Sequence, residues 1–203
     1  MMESYVTSSY ILGWRKRVMS KPGLEKIVVR RLIPEDRTTL YRWLQDPAIR
    51  SAIEDETIDF SRMSETMCLF EKADPFSDGA IGLIVEVLGR PIGLIHFACL
   101  NWINRNAEVI VVVGPQEFRS SLGAAIVVEK IGHIAFRILN LHKIYAFVYA
   151  TNKSAISLFS KLMKEEACLH NYIQSTNGYG DLHLFGLLAC EYFSTMEKLA
   201  GHH

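Results

Sequence analysis

The chain has 203 residues, with Lys+Arg and Asp+Glu at 22 each and a formal net charge of zero. That balance excludes a strong field for nucleic acid or an anionic membrane and leaves room only for a local basic patch. Hydrophobic residues at 49% and charged residues at 22% exclude disorder, and the length suits one domain with a large core.

Residues 1–26 read as a leader that closes at "KPG" (Lys21 to Gly23), and "KIVVRRLI" follows as a first strand. In "PEDRTTLYRWLQDPAI", Leu40, Trp43 and Leu44 recur at helical spacing, and Asp46-Pro47 is a stop signal. Ser61 is placed to cap a second helix through Met67 and Phe70, with Glu65 in its early turns. Two apolar runs broken by "LGRP" in "AIGLIVEVLGRPIGLIHFACL" predict a hairpin, and "NRN" (Asn104 to Asn106) turns into "AEVIVVV". That run is apolar on both faces except for Glu108, which predicts a central strand.

Ser120 to Leu139 predicts an amphipathic helix with Val127, Ile131, Ile134 and Ile138 on its inner face. "KIYAFVYA" is a further strand apolar on both faces, so strand, helix and strand form a right-handed crossover with parallel strands. Asn152 is placed to cap another helix, with Ile156, Phe159, Leu162 and Met163 inward. Two strands then flank the turn "STNGYGD". The expected fold is α/β (α+β): a mixed, mostly antiparallel sheet of about seven strands with helices on both faces and one parallel pair. The expected domain covers 27–195, with a tail at 196–203.

The four cysteines, Cys68, Cys99, Cys168 and Cys190, stand far apart without a CxxC pair, and the seven histidines form no HExxH pattern. This predicts buried thiols in a reducing compartment and neither a disulfide framework nor a metal site. No apolar run reaches the roughly 18 residues of a membrane span, and the start lacks the apolar stretch of a signal peptide. The expectation is a cytoplasmic protein without a membrane or nucleic-acid partner.

"RWLQDPAIR", "RPIGLIHF", "NRNAEVIVVVG", "FRSSLGAA", "ILNLHKIYAFVYATN" and "NKSAISLFSKL" stand in an order and at a spacing that resemble the GNAT acetyltransferase superfamily. The resemblance is nearest to the branch of ribosomal-protein N-acetyltransferases and the amino-sugar N-acetyltransferase of pseudaminic acid biosynthesis, and it runs from about Ile27 to Phe193. It implies acetyl-CoA as co-substrate, lying in a cleft where the two parallel strands splay apart. Its pantetheine arm would follow Val111, Val112 and Val113. Its pyrophosphate would sit on a loop of the form Arg-x-x-Gly-x-Gly/Ala, which falls on Arg119, Ser120, Ser121, Leu122, Gly123 and Ala124. Such a loop aims backbone N–H groups at a dianion from a helix N-terminus. Leu122 replaces the first glycine of that pattern, so the stretch reads either as a phosphate cradle or as a strand–turn–helix link with no chemical role.

The resemblance also implies a tyrosine acid on the helix after the second parallel strand, where this chain has Phe159, which donates no proton. Ser157, Ser160, Tyr149 or a water are the alternatives for protonating the departing thiolate. Asn152 keeps its family place, either touching the CoA arm or only capping its helix. Glu108 is the candidate to take the amine proton, directly or through water; the competing reading is a structural pair with Arg105 or with a residue near the sheet edge. His96 reads as a satisfied core residue and His133 as solvated. Trp43, Asp46 and the acidic stretch Glu54 to Asp59 fall where the family builds its acceptor site.

The implied activity is acetyl transfer to a primary amine of a small molecule, an amino sugar in the first instance. The alternatives are an acyltransferase using a longer acyl-CoA or an acyl-carrier protein, and a non-catalytic binding module. A homodimer is compatible with the family.

Overall fold

The computed structural model describes residues 27–53, 79–119, 127, 130–175 and 178–200. Seven strands form one sheet in the order β1-β2-β3-β4-β5-β7-β6. They are β1 (Ile27–Arg31), β2 (Ile81–Val87), β3 (Arg90–Asn101), β4 (Asn106–Val113), β5 (Lys143–Tyr149), β6 (Lys164–Ser175) and β7 (Gly178–Leu188). Every pairing is antiparallel except β4 with β5. The mixed sheet with one parallel pair is therefore as the sequence leads one to expect.

The turn between β2 and β3 is two residues long, with Leu88 at φ 53° and Gly89 at φ 75°. Two positive φ angles in succession give the turn whose twist matches antiparallel strands, and the "LGRP" signal lands on it. On one face of the sheet α1 (Arg37–Leu44) and α2 (Pro47–Ile53) place Leu40, Trp43, Leu44 and Ile49 on Ile84, Leu94 and Val112. Asp46 ends one helix and starts the next, since its Oδ1 accepts the Ala48 N–H at 2.9 Å ahead of Pro47 at the helix start. At the first sheet edge Arg30 grips Asp36 through two bonds of 2.6 and 2.7 Å and reaches Glu86 at 2.8 Å. This anchors the chain entering α1 to the sheet.

The opposite face carries the larger core. Val127, Ile131, Ile134 and Phe136 pack there on β2 to β5, together with Phe159 and Met163. The helix after β4 departs from simple periodicity, because His133–Ile138 is π-helical and the Leu139 N–H bonds the Ile134 carbonyl five residues back at 2.8 Å. The wider turn shifts the helix phase. Phe136 consequently turns inward, with ring centroids 5.2 Å from Tyr192 and 6.5 Å from Phe193, while Ile138 is 64% exposed rather than buried as its spacing predicts.

Helix α3 (Lys153–Phe159) follows β5, and α4 (Ala189–Ala200) closes the fold. The α4 helix spans the 195/196 boundary at which a tail is expected from the sequence. The helix expected after Ser61 lies outside the described residues. Among the described residues, Cys99 and Cys190 are exposed and Cys168 half-buried, which corrects the expectation of buried thiols. No helix among them is long and apolar enough to cross a membrane.

Gly114, the residue after β4, lies against Trp43 so closely that a Cβ there would overlap the indole ring. Gly114→Ala must displace Trp43 from its core position, and overpacking of this kind costs about 1–3 kcal/mol. Denaturant unfolding is expected to show that loss. Unchanged stability would mean that Trp43 has room to move.

Candidate active site

The parallel ladder between β4 and β5 is short: Asn106 pairs with Lys143, Ala107 with Ile144 and Glu108 with Tyr145, and there it ends. β4 stays on β3 up to Val113, and β5 stays on β7 up to Tyr149. The two strands therefore part after Glu108 and Tyr145, each held by its outer neighbour. From Val109 to Val113 the inner edge of β4 has no strand beside it among the described residues. Unpaired N–H and C=O groups along such an edge can bind an extended, amide-bearing chain as an added strand would be bound. Val111 and Val113 turn toward the larger core, and Val112 toward Trp43 on the other face.

Glu108 stands at the fork. Its Oε2 lies 4.0 Å from the Cys99 sulfur, and no ion pair with Arg105 forms among the described residues. Burial pushes its carboxyl above the usual range. Cys99 reaches this place because β3 bulges between Ala98 and Asn101, with Cys99 itself at φ 49°. Tyr145, the register partner of Glu108, has its phenol pushed up by burial and then by the nearby Cys99 and Glu108 charges. A carboxyl with a raised pKa beside a phenol that keeps its proton is an arrangement suited to proton transfer. Neither Cys99 nor Tyr145 stands out in the sequence, since only the bulge and the strand register bring them to Glu108.

His96 is on β3, pairs with Ile110 of β4, and is 2% exposed. Its Nδ1 is buried without a hydrogen-bond partner among the described residues, and burial holds its pKa down to about 4. The imidazole is thus neutral at pH 7, and the expectation of a satisfied core histidine is corrected. His133 is exposed, as its polar helix face predicts.

Arg119 turns back onto the strand end. Its guanidinium donates to the Gly114 carbonyl and, at 3.2 Å, to that of Val113, and it bonds Asp46 Oδ2 at 2.7 Å. The bond from Arg119, ahead of the Ala48 N–H, holds the Asp46 carboxyl below its ordinary range. Arg119 thereby ties the end of β4 to the junction between α1 and α2, and Trp43 fills the core beneath that junction. Ser120, Ser121, Leu122, Gly123, Ala124 and the acidic stretch from Glu54 to Asp59 lie outside the described residues.

On the β5 side, Tyr149 ends the strand, half-buried, and Ser157 is exposed on α3. The Asn152 side chain accepts the Ala155 N–H at 3.0 Å and the Ser154 hydroxyl at 2.9 Å, which makes it the cap of α3. Phe159 is 8% exposed, with its ring stacked on Phe185 at 6.1 Å between centroids. The 43% exposure of Phe147 shows that one face of β5 is partly open, where an apolar run predicts cover on both.

The single parallel pair, splayed after Glu108 and Tyr145, is the opening that the sequence resemblance leads one to expect. The acetyltransferase (GNAT) domain matches residues 26–162, and the chain belongs to that family. It is 28% identical over 107 residues to a spermidine N(1)-acetyltransferase of Vibrio cholerae, a match covering 52% of this chain and 61% of that enzyme. A spermidine N(1)-acetyltransferase of Escherichia coli K12 is 30% identical over 79 residues, covering 39% and 42%. The match thus spans less than two thirds of either relative. A crystal structure of the Vibrio cholerae spermidine N-acetyltransferase in complex with CoA and spermine superposes with a TM-score of 0.70 at 24% identity. It covers 83% of this chain and 99% of that one, and establishes the shared fold.

Proposed function

We propose that this chain transfers the acetyl group of acetyl-CoA to a primary amine of a polyamine, by direct attack in a ternary complex. The observation that carries the proposal is the β4–β5 fork with Glu108 at its apex. The pantetheine arm bonds the free edge at Val111 to Val113, which sets the thioester near Glu108. The amine nitrogen attacks the carbonyl carbon, the C–N bond forms and the C–S bond breaks. The ammonium gives one proton to Glu108 before the attack, and the second proton that nitrogen loses after it restores the group that protonates the thiolate. The thiolate takes a proton from Tyr149, Ser157 or water, because Phe159 has none to give. A polyamine, rather than the amino sugar expected from the sequence, is supported by the spermidine acetyltransferases among the relatives. An acyl-carrier donor gains no support from them. One solved Vibrio cholerae structure is described as dodecameric, so sizing is expected to show an assembly larger than a dimer.

The test is thiol release from acetyl-CoA with spermidine, spermine, an amino sugar and a peptide N-terminus. The polyamines are expected to lead in kcat/KM by about tenfold or more. A lead by the amino sugar would overturn the acceptor assignment. Phe159, buried where the family has an acid, favours a second reading: CoA binding without turnover. Binding of CoA with silence across all amines would establish that reading instead.

A further inference from the structure

Cys168 and His170 lie two residues apart on β6, and Asp181 lies on β7. The pairing runs Cys168 with His183 and Leu169 with Leu182, then slips and resumes at Ile173 with Gly180, leaving Asp181 opposite a bulge. Asn171, at φ 52°, makes the bend. The His170 Nδ1 lies 3.1 Å from Asp181 Oδ2, and the Cys168 sulfur lies 3.8 Å from that nitrogen and 3.9 Å from that oxygen. The three donor atoms all fall within 4.8 Å of one another.

Tetrahedral zinc with bonds of about 2.0–2.3 Å would set its sulfur, nitrogen and oxygen ligands roughly 3.3–3.6 Å apart. The observed triangle is within a few tenths of an ångström of that. The other carboxylate oxygen, Oδ1, is held by the Asn171 N–H at 2.9 Å, so Oδ2 is the oxygen left to face the sulfur and the imidazole. The Asp181 carbonyl accepts the Ala150 N–H at 3.0 Å, which pins this part of β7 to the end of β5. A supporting bond to the non-ligating atom of a carboxylate is how a ligand is oriented before the ion arrives.

We infer that Cys168, His170 and Asp181 form a site for a divalent cation of the zinc class, with a fourth position open to water. A thiolate and an imidazole select zinc, cobalt or their neighbours over magnesium and calcium. The bound ion would clip the edge hairpin across its bulge, and the thiol proton would leave to solvent on binding. The site stands apart from the acetyl-transfer reading and is tested without activity.

The experiment is titration of the reduced chain with cobalt(II), read by the thiolate-to-cobalt charge-transfer band, to which His202 and His203 at the chain end contribute nothing. One equivalent per chain is expected, displaced by zinc, with the band abolished in Cys168→Ser. Asp181→Asn is expected to weaken cobalt binding by about tenfold or more. Circular dichroism checks that each variant folds, and His170→Gln, at a side chain 74% exposed, repeats the test if Cys168→Ser does not. Absence of the band, or a band that survives Cys168→Ser or His170→Gln, would overturn the site and leave a hydrogen-bonded triad.

Discussion

Glu108→Gln is expected to lower kcat for amine acetylation by about 10²–10⁴-fold, the usual contribution of a positioned acid or base. In energy this is about 3–5 kcal/mol of transition-state stabilisation. An amine arrives mostly as its ammonium ion and must lose a proton to attack. Glu108 is the carboxylate at the fork where β4 and β5 part, and burial pushes its pKa up, which strengthens it as a base. Glutamine keeps the shape and loses the proton acceptor. The rate of the wild type should fall as pH drops through the raised Glu108 pKa, and that limb should vanish in the variant. Binding of CoA should persist, since the strand edge proposed to hold the pantetheine arm is backbone. Stability should hold or rise slightly, because a half-buried carboxylate with no cationic partner among the described residues is replaced by a neutral group. Wild-type kcat in Glu108→Gln, or a collapse of its folding, would contradict the assignment.

The second large effect concerns His96 and acid. Its folded-state pKa is about 4 against an ordinary 6.5, so the unfolded chain binds a proton more readily than the folded one. Stability is therefore fully present above about pH 6.5 and is lost as pH falls toward about 4. A shift of this size corresponds to about 3 kcal/mol. His96→Leu removes the titrating group, and with it an Nδ1 that has no partner among the described residues, so the variant should be no less stable at pH 7. The measurement is urea unfolding of both proteins between pH 4 and pH 7. The stability difference between them should change by about 3 kcal/mol over that range. Parallel curves would mean that His96 is not buried as a neutral imidazole. Glu108, with a raised pKa, acts in the opposite direction and is common to both proteins, so it cancels in the comparison.

Much of this architecture is legible in the sequence because it is written in local periodicity. The helix at Leu40, Trp43 and Leu44, the turn at Leu88-Gly89, the central strand around Glu108 and the cap at Asn152 each follow from residues within a few positions of one another. What escapes is set by geometry over longer range. A π-helical turn moves Ile138 outward and Phe136 inward without a signal in the apolar spacing. The bulge after Ala98 carries Cys99 to Glu108, and the ladder between β4 and β5 brings Tyr145 there. The resemblance puts Arg119 at the head of a phosphate loop, and nothing in that pattern signals the bonds of its guanidinium to the Gly114 carbonyl and Asp46. Cys168, His170 and Asp181 match no metal-binding spacing because strand pairing, slipped by a bulge, is what assembles them.

The functional reading depends on the cleft between β4 and β5 holding acetyl-CoA despite Leu122 in the loop proposed to carry its pyrophosphate. Calorimetric titration of the purified chain with acetyl-CoA, and separately with CoA, tests it most directly. One site per chain with micromolar affinity is expected, in wild type and in Leu122→Gly alike. Absence of binding by both proteins would contradict it.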